Sequence, residues 1–428
     1  MALLTFPGPD TIHRYILDNG VAILVYENFA SQSVVIDGLV RAGAVVESRQ
    51  KAGLASFTAS ALMRGTAKRS FEQIYEDLEA VGADLGFSSG DHMIGFSANC
   101  LTEDVDLVLD LLAQSLRRPT FPEEEIERVR GQIITGLHIR ANDTRRMANL
   151  AFNELLYDEH PYGRSIRGYL DTIPKISREE IVRFHADYYG PQGMIITIVG
   201  AIKAEEAVEK VAAALGDWRC PDQRPVPPVP DAPRPDELLR TVVDMPEKSQ
   251  SDIVLGLPGP RRSAPDYLDV SLMNTILGVF GMMGRIGKRV REEQGLAYYA
   301  YSRLQGGLGP LPWVASAGVA PDKVELAIES IRREIGRIQD EPVPEEELAD
   351  SKAFRTGSLP VSLETNSGLA DVITDMELYG LGLDYLQRFP DLMREITAER
   401  VQAAARKYLS TEQIAIAVAG PSVNGRSS

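Results

Sequence analysis

The chain has 428 residues with a hydrophobic share of 44% and a charged share of 25%, which is typical of a globular protein long enough for more than one domain. Its formal net charge of -16 argues against nucleic-acid binding, because that function needs a basic surface. The two cysteines, Cys100 and Cys220, are too few for a disulfide framework.

The N-terminal residues MALLTFPGPDTIHRY lack the basic segment and the long apolar core of a signal peptide. No apolar run elsewhere reaches the length of a membrane-spanning helix. We therefore expect a cytoplasmic protein without membrane contact, or a periplasmic protein if a signal peptide has been removed from the sequence.

Three elements are predicted at the start of the chain. An Asn-Gly pair at 19–20 between RYIL and VAILVY predicts a hairpin of two strands. A third strand is predicted near 33–42. The stretch 51–66, KAGLASFTASALMRGT, predicts a helix, because apolar residues recur in it at helical spacing and Gly65 is placed to end it.

The second face of this helix carries small and mostly uncharged residues. Ser56, Ala59, Ser60 and Met63 lie about one turn apart on it. Such a face packs closely against a neighbouring element or lines a cavity, and packing is the ordinary interpretation.

A repeat organises the whole chain. Residues 176–200 read ISREEIVRFHADYYGPQGMIITIVG, and residues 396–420 read ITAERVQAAARKYLSTEQIAIAVAG, at a constant offset of 220 positions. Each segment has a Ser or Thr N-cap, an amphipathic helix that ends on Tyr, a turn, and an apolar strand that ends in Gly. The offset predicts two homologous units.

A second pair of segments agrees with the first. A strand end, the helix DVDLVLDLLAQSL and then FPEEE occur within 98–125, and a strand end, KVELAIESIRREI and then VPEEE occur within 319–347. We predict an α+β chain with repeats at 1–216 and 238–428, each an antiparallel sheet with helices packed on one face. The linker 217–237 contains seven prolines, which favour an extended segment.

The second repeat carries a glycine-rich segment before a basic helix. Glycines at 278, 281, 284 and 287 predict a flexible crossing, and the absence of a following GKS or GKT excludes a phosphate loop. Arg291 and Tyr298 follow, separated by a helix end and a turn at Gly295. The ordinary interpretation is an exposed Arg and a strand Tyr that packs on a helix.

These segments together resemble the pitrilysin, insulinase and mitochondrial-processing-peptidase family of inverted zinc peptidases, in particular bacterial members of this size with two repeated halves. The segments that carry the resemblance are GLASFTASALMRGT, NELLYDEHPYGRSIRG, ISREEIVRFHADYYGP and GRIGKRVREEQGLAY. They lie in family order along nearly the whole chain. The resemblance implies the processing-peptidase fold in both units.

The resemblance also implies a zinc motif that this chain lacks. In the family two His of H-x-x-E-H bind zinc, the Glu between them is the general base, and a Glu on a later helix completes the ligands. The corresponding positions are Ser56, Ala59 and Ser60. The region of the third ligand, RGQIITGLHIRAND, offers Gly136, Leu137 and His138 but no Glu. Because hydroxyls are poor zinc ligands, we expect no metal and no other cofactor in this chain.

A serine nucleophile could in principle replace the lost metal. Ser56 or Ser60 would then need an adjacent base and an oxyanion hole. The chain has five histidines, and no recognisable motif ties any of them to these serines: His13, His92, His138, His160 and His185. A serine hydrolase is therefore not favoured.

One part of the family's site is retained. The resemblance implies that an Arg and a Tyr in the pattern R-x6-Y bind the substrate backbone and hold the developing oxyanion. Arg291 and Tyr298 match this spacing, and a guanidinium and a phenol are suitable donors to such an oxygen. The chain thus resembles a half-site in which the donors are present and the metal is absent.

The leading hypothesis is a metal-free subunit of a heterodimeric zinc peptidase, not catalytic alone. A homologous partner would carry H-x-x-E-H and zinc, and the substrate would be a peptide or an unfolded protein segment held as an added β-strand. The alternative is a catalytically dead scaffold or peptide-binding protein of the same fold. Retention of both Arg291 and Tyr298 favours the first hypothesis.

Overall fold

The computed structural model describes residues 6–422, apart from the side chain of residue 282. The strands are β1 (Ile12–Ile16), β2 (Ala22–Glu27), β3 (Ser33–Val40), β4 (Asp84–Ser89), β5 (Ile94–Leu101), β6 (Ile195–Gly200), β7 (Leu239–Asp244), β8 (Ser251–Pro258), β9 (Ala297–Leu304), β10 (Pro312–Val319) and β11 (Ala415–Gly420). The helices are α1 (Leu54–Ala61), α2 (Phe71–Ala80), α3 (Val105–Arg117), α4 (Glu123–Ala141), α5 (Thr144–Tyr157), α6 (Arg178–Tyr188), α7 (Ala204–Leu215), α8 (Tyr267–Gly278), α9 (Phe280–Gly287), α10 (Val324–Asp340), α11 (Glu345–Ser362), α12 (Asn366–Leu378), α13 (Tyr385–Arg394) and α14 (Ala398–Tyr408).

The strands form two separate sheets, which confirms the predicted α+β class. Their orders are β1-β2-β6-β3-β5-β4 and β7-β11-β8-β10-β9. Most neighbouring strands are antiparallel, as predicted, but each sheet has one parallel pair, β2 with β6 and β7 with β11. The parallel pairs are possible because long helical segments precede β6 and β11, so that each strand can join its sheet in either direction. A tight hairpin allows only an antiparallel neighbour.

The internal repeat is confirmed at the level of individual residues. Helix α6 begins at Arg178 and α14 at Ala398, which are 220 positions apart, and the strands β6 and β11 that follow keep the same offset. Ser177 and Thr397 cap the two helices by accepting backbone N–H groups at 3.3 Å. The same capping chemistry therefore starts the same element in both repeats.

The chain forms two compact units, and both are discontinuous in sequence. One contains residues up to 137, 165–227 and 360–388, and the other contains 138–164, 228–359 and the chain from 389 onward. The limits 1–216 and 238–428 remain a prediction about the repeats, because the compact units cross them. Helix α5 from the first repeat packs on β7, β8 and β11, and α12 from the second repeat packs on β3 and β6.

Both faces of the first unit's sheet are covered. One face of the sheet packs against helices α1 to α3, α6 and α7. The core between the sheet and these helices contains Ile23, Ile36 and Ile196. On the opposite face, Thr374 of α12 donates a hydrogen bond to Thr197 of β6 at 2.7 Å, with both residues buried. Helix α12 therefore adds cover to the face that the sequence-based prediction left open, which explains why every residue of β6 is buried.

The second unit is centred on strands that are buried along their whole length. Strands β8, β10 and β11 have no exposed residue, and helix α8 is buried from Asp269 to Gly278. The helical run Tyr267–Glu293 is long and apolar enough to cross a membrane by length and composition, which corrects the expectation that no run reaches that length. Of its 18-residue apolar window, however, 65% is buried within the protein. Burial of this kind is the pattern of a core helix.

Asp37 introduces a carboxyl group into the first unit's buried sheet. It lies on β3, is 8% exposed, and within the described residues its Oδ1 atom has no hydrogen-bond partner. Burial raises the pKa of Asp37 from its ordinary value near 3.8 to about 6. A hydrogen bond from Ser97 opposes this rise in pKa, and the nearby Asp371 and Asp84 add to it.

The raised pKa predicts a pH-dependent effect of Asp37→Asn on stability. The folded carboxyl binds its proton more tightly than the unfolded one, so its stability contribution is fully present below the unfolded value and is lost as pH rises toward 6. We expect Asp37→Asn to raise the free energy of unfolding by about 1 to 2 kcal/mol near pH 7 and to lose that advantage near pH 4. Urea unfolding at both pH values measures it.

The matched control for this variant is Glu76→Gln, which removes an exposed carboxylate from the same unit. It should leave the free energy of unfolding within about 0.5 kcal/mol at both pH values. A gain for Asp37→Asn of equal size near pH 4 and pH 7 would contradict the assignment of its effect to titration.

Candidate functional site

Helix α1, which carries Ser56, Ala59 and Ser60, starts from a constrained turn. Gly53 precedes it with φ of +98°, and a Cβ there would lie 2.7 Å from a methyl carbon of Ile173 and 2.8 Å from Cα of Gly168. The buried carboxylate of Glu47 accepts the backbone N–H of Gly53 at 2.9 Å and that of Ala55. This carboxylate satisfies two N–H groups at the positive end of the helix.

Helix α1 is shorter than the stretch 51–66 predicted from sequence. It spans Leu54–Ala61. A separate 3-10 turn and Gly53 at φ of +98° precede it, and residues 62–64 form a turn before Gly65, which has φ of +142°. The apolar pattern continued beyond both ends and could not indicate these breaks.

The three residues that the resemblance places at the zinc-motif positions lie on α1. Ser56 is half-buried, Ala59 is 2% exposed and Ser60 is exposed. The Ser60 hydroxyl donates to the backbone carbonyl of Ser56 at 2.8 Å. One of the two hydroxyls is thus bonded within its own helix, and Ala59 offers no ligand atom, so these residues do not fit a zinc ion.

The helix that would bring the third ligand lies beside α1. Arg130 of α4 places its guanidinium 5.1 Å from the ring centre of Phe57 and donates to the carbonyl of Ile173 at 2.6 Å. A Cβ at Gly136 would have open space around it. Within residues 6–422 no group of three or more His, Cys, Asp or Glu side chains is arranged to hold a metal.

Two of the histidines have structural contacts. His185 lies 2.8 Å from the Leu116 carbonyl and stacks on Tyr189, and burial lowers its pKa to about 4. His160 lies 3.1 Å from the carbonyl of Pro230 and burial lowers its pKa as well. Both side chains therefore take part in the packing around them.

The glycine-rich segment of the second unit lies mostly in helices, where the sequence predicted an irregular crossing at 278–287, and the flexibility of this segment stays a prediction. Helix α9 spans Phe280–Gly287. A Cβ at Gly278 would lie 2.0 Å from the backbone nitrogen of Ser302, and a Cβ at Gly284 would lie 2.5 Å from the nitrogen of Gly278. At these two positions glycine therefore permits close packing of α8, α9 and β9.

Arg291 lies in a π-helical turn, Lys288–Glu293, that follows α9. The turn is joined to the start of β9 by backbone bonds from Leu296 to Val290 at 2.9 Å and from Gly295 to Arg291 at 3.2 Å. Gly295 has φ of +62°, which allows the sharp reversal. Such π-turns are frequent at functional sites, and this one fixes the backbone that carries Arg291.

Tyr298 is the extra residue of a β-bulge in β9. Gly318 of β10 pairs with Tyr299, but its neighbour Val319 pairs with Ala297, so Tyr298 has no partner across the ladder. Tyr298 is 84% exposed, and it does not pack on a helix as the ordinary interpretation supposed. Bulges redirect side chains, and this one turns a phenol toward solvent.

A buried polar cluster around Tyr299, the residue after Tyr298 in β9, was not recognised from sequence. Asp252 of β8 is 1% exposed and accepts hydrogen bonds from the hydroxyls of Tyr299 and Thr144. Burial and then Asp252 raise the pKa of Tyr299, so its hydroxyl stays protonated. The sequence signal for this cluster was a single acidic residue in the apolar strand SDIVLGLP. A buried charge needs hydrogen-bond or charged partners, so this residue indicated a polar cluster.

Two family models match successive parts of the chain. The model for insulinase (peptidase family M16) matches residues 23–168, and the model for the peptidase M16 inactive domain matches residues 175–354. An uncharacterized zinc protease of Streptomyces coelicolor is 25% identical over 421 residues, which covers 97% of this chain and 90% of that protein. The uncharacterized zinc protease YmxG of Bacillus subtilis is 24% identical over 414 residues, with coverage of 96% and 99%.

Solved structures with the same architecture agree with these matches. A peptidase M16 inactive domain from Pseudomonas fluorescens has a TM-score of 0.88 at 26% identity and covers 96% of this chain and 98% of its own. A protease from Helicobacter pylori has a TM-score of 0.90 at 19% identity, with coverage of 97% and 100%, and supports the fold alone.

Proposed function

The chain belongs to the insulinase family of peptidases, M16, as a member without the zinc motif, and on that premise we propose that it is the metal-free subunit of a two-chain zinc peptidase. A homologous partner with H-x-x-E-H would hold the zinc and activate the water. This chain would supply Arg291 and Tyr298. The observation that carries the proposal is the bulge that exposes the Tyr298 phenol close in sequence to the π-turn of Arg291.

The proposed role of the pair is to stabilise negative charge on the peptide carbonyl oxygen. When water adds to that carbonyl, charge develops on its oxygen, and hydrogen-bond donors held in advance lower the barrier. Within the described residues neither the Arg291 guanidinium nor the Tyr298 hydroxyl has a hydrogen-bond partner. Both donors are therefore available to a substrate without first breaking a bond.

The proposed substrate is a peptide or an unfolded segment in extended conformation. Strand β9 lies at one edge of its sheet, and an extended peptide can add to such an edge through backbone hydrogen bonds. Tyr298 belongs to this edge strand. A peptide bond lying along β9 would thus have the phenol beside it.

Reconstitution with the partner is the direct test. The purified chain alone should contain close to zero zinc and cleave no peptide, because Ser56, Ala59 and Ser60 do not fit the metal. The partner should contain about one zinc per chain, and only the mixture should cleave an unfolded protein substrate at full rate. Metal analysis and a peptide-cleavage assay measure the two quantities.

The control is a mixture in which the partner's Glu of H-x-x-E-H is replaced by Gln, which should be inactive although the complex forms. Zinc at about one per chain in this protein alone would contradict the metal-free assignment. A complex that forms with zinc bound but cleaves no better than the partner alone would favour the scaffold alternative.

A further inference from the structure

The structure holds one arginine of the second unit in a fixed position beside β9. Arg145, in the first turn of α5, places its guanidinium carbon 3.9 Å from the ring centre of Tyr299. Its Nε donates to the Tyr299 hydroxyl at 3.1 Å. A guanidinium that is stacked on a ring and bonded through Nε has little freedom left, so its two Nη groups have a defined direction.

The positive charge of Arg145 is only partly neutralised by the acid behind it. Its Nε lies 4.0 Å from Oδ1 of Asp252, at the limit of an ion pair. The Asp252 oxygens are bonded instead by the hydroxyls of Thr144 and Tyr299 and by Gln250 at 3.3 and 3.4 Å. By contrast, Arg285 of the same unit donates two hydrogen bonds to Glu347.

The free part of Arg145 is accessible. Its side chain is 51% exposed, and among the described residues its Nη1 and Nη2 atoms have no hydrogen-bond partner. Two parallel N–H groups in this arrangement match the two oxygens of a carboxylate. Lys cannot reproduce that geometry with a single ammonium group.

The location ties Arg145 to the peptide. Tyr299 follows the bulged Tyr298 directly in β9, so the arginine is anchored on the residue next to the exposed phenol. We propose, building on the function proposed above, that Arg145 binds a carboxylate of the peptide substrate and so selects peptides that present an acidic side chain or a free C-terminus close to the residues bound along β9.

The net charge of the protein makes this contact a short-range one. A formal charge of -16 repels anionic peptides at a distance, and salt screens that repulsion beyond about 8 to 10 Å. A directed two-point hydrogen bond acts below that range. The preference should therefore be retained, and become easier to measure, at physiological ionic strength.

Three short peptides that differ only at the central residue and at their ends test the proposal. Their binding to the full chain is measured by fluorescence anisotropy. The first has a central Glu and blocked ends, the second has Gln in its place and blocked ends, and the third has Gln and a free C-terminal carboxylate. We expect at least one carboxylate peptide to bind about fivefold to tenfold tighter than the blocked Gln peptide. The two carboxylate peptides distinguish a side chain from a C-terminus as the ligand.

Variants assign the preference to one side chain. Arg145→Gln should abolish it, Arg145→Lys should retain part of it, and Arg146→Gln should leave it unchanged. Arg146 is the matched control, since it is the next residue on α5, 54% exposed and paired with Asp143 at 3.4 Å. Thermal unfolding of each variant checks that the fold is intact, and a folded Arg145→Lys keeps the test valid if Arg145→Gln unfolds.

Equal binding of all three peptides by the unaltered chain would overturn the carboxylate site and leave the proposed function standing. A preference that persists in folded Arg145→Gln would overturn it too. Absence of binding by every peptide would also reject the site, and the reconstitution assay would then decide the subunit proposal independently.

Discussion

Replacing Tyr298 with Phe is expected to lower kcat of the reconstituted peptidase by about a hundredfold to a thousandfold, the usual loss when one oxyanion donor is removed. The change deletes a single hydroxyl from a residue that is 84% exposed, so the fold and its stability should not change. Because the bond to the oxygen strengthens as charge develops, the loss should appear in kcat more than in KM. Steady-state kinetics on a quenched peptide measure both.

Arg291→Ala should reduce kcat/KM to a similar extent but with a larger rise in KM, because a guanidinium also binds the uncharged carbonyl of the substrate. Tyr75→Phe is the matched control, since Tyr75 is an exposed tyrosine of α2. If both Tyr298→Phe and Arg291→Ala leave the kinetics of the complex untouched, the shared-site proposal is wrong.

Among the substitutions considered for this chain, removal of the Glu47 carboxylate should produce the largest loss in the free energy of unfolding. Glu47→Ala leaves the N–H groups of Gly53 and Ala55 without their acceptor inside the protein, and we expect a loss of about 2 to 4 kcal/mol in the free energy of unfolding. Glu47→Gln keeps one acceptor oxygen and should cost about half as much. Urea unfolding monitored by circular dichroism measures the difference.

The control for Glu47 is Glu72→Ala, in the first turn of α2, which removes an exposed carboxylate near another helix start. Its cost should stay below about 1 kcal/mol, as for other exposed charges near helix termini. A loss for Glu47→Ala no larger than for Glu72→Ala would show that the buried cap does not hold α1.

Local sequence signals predicted those parts of the fold that depend on neighbouring residues. The Asn-Gly pair at 19–20 indicated the hairpin of β1 and β2, which pair antiparallel with Gly20 at φ of +93°. The repeated PEEE segments indicated the starts of α4 and α11, which begin at Glu123 and Glu345. In each case the determining chemistry, a turn residue or a first-turn acid, lies within the element itself.

Features that depend on distant residues were not predictable in this way. The amphipathic pattern of α5 and α12 indicates helices but not which sheet each one covers, because the pattern specifies a buried face without naming its partner. The direction of β6 and β11 is likewise set by the path of the intervening chain. These two facts explain why the compact units differ from a simple division of the chain at the linker.

The candidate site likewise combines features that local sequence indicates with features that depend on distant residues. The spacing of Arg291 and Tyr298, with the family resemblance, indicated both residues as candidates, but the exposure of Tyr298 follows from a bulge that one pairing shift creates. The cluster of Asp252, Tyr299 and Arg145 joins residues from α5, β8 and β9. No local pattern can bring these three together.

The exchange of helices between the repeats sets a time order on synthesis of the protein. Strands β3 and β6, which α12 covers, have both been synthesised once translation reaches Gly200. Leu378, at the end of α12, is synthesised only after the whole Pro-rich segment and most of the second repeat. At about 5 to 20 residues per second, the face that α12 covers stays uncovered for roughly ten to forty seconds on the ribosome. During that interval the nascent first repeat is an incomplete folding unit, because the helix that covers one face of its sheet has not yet been made.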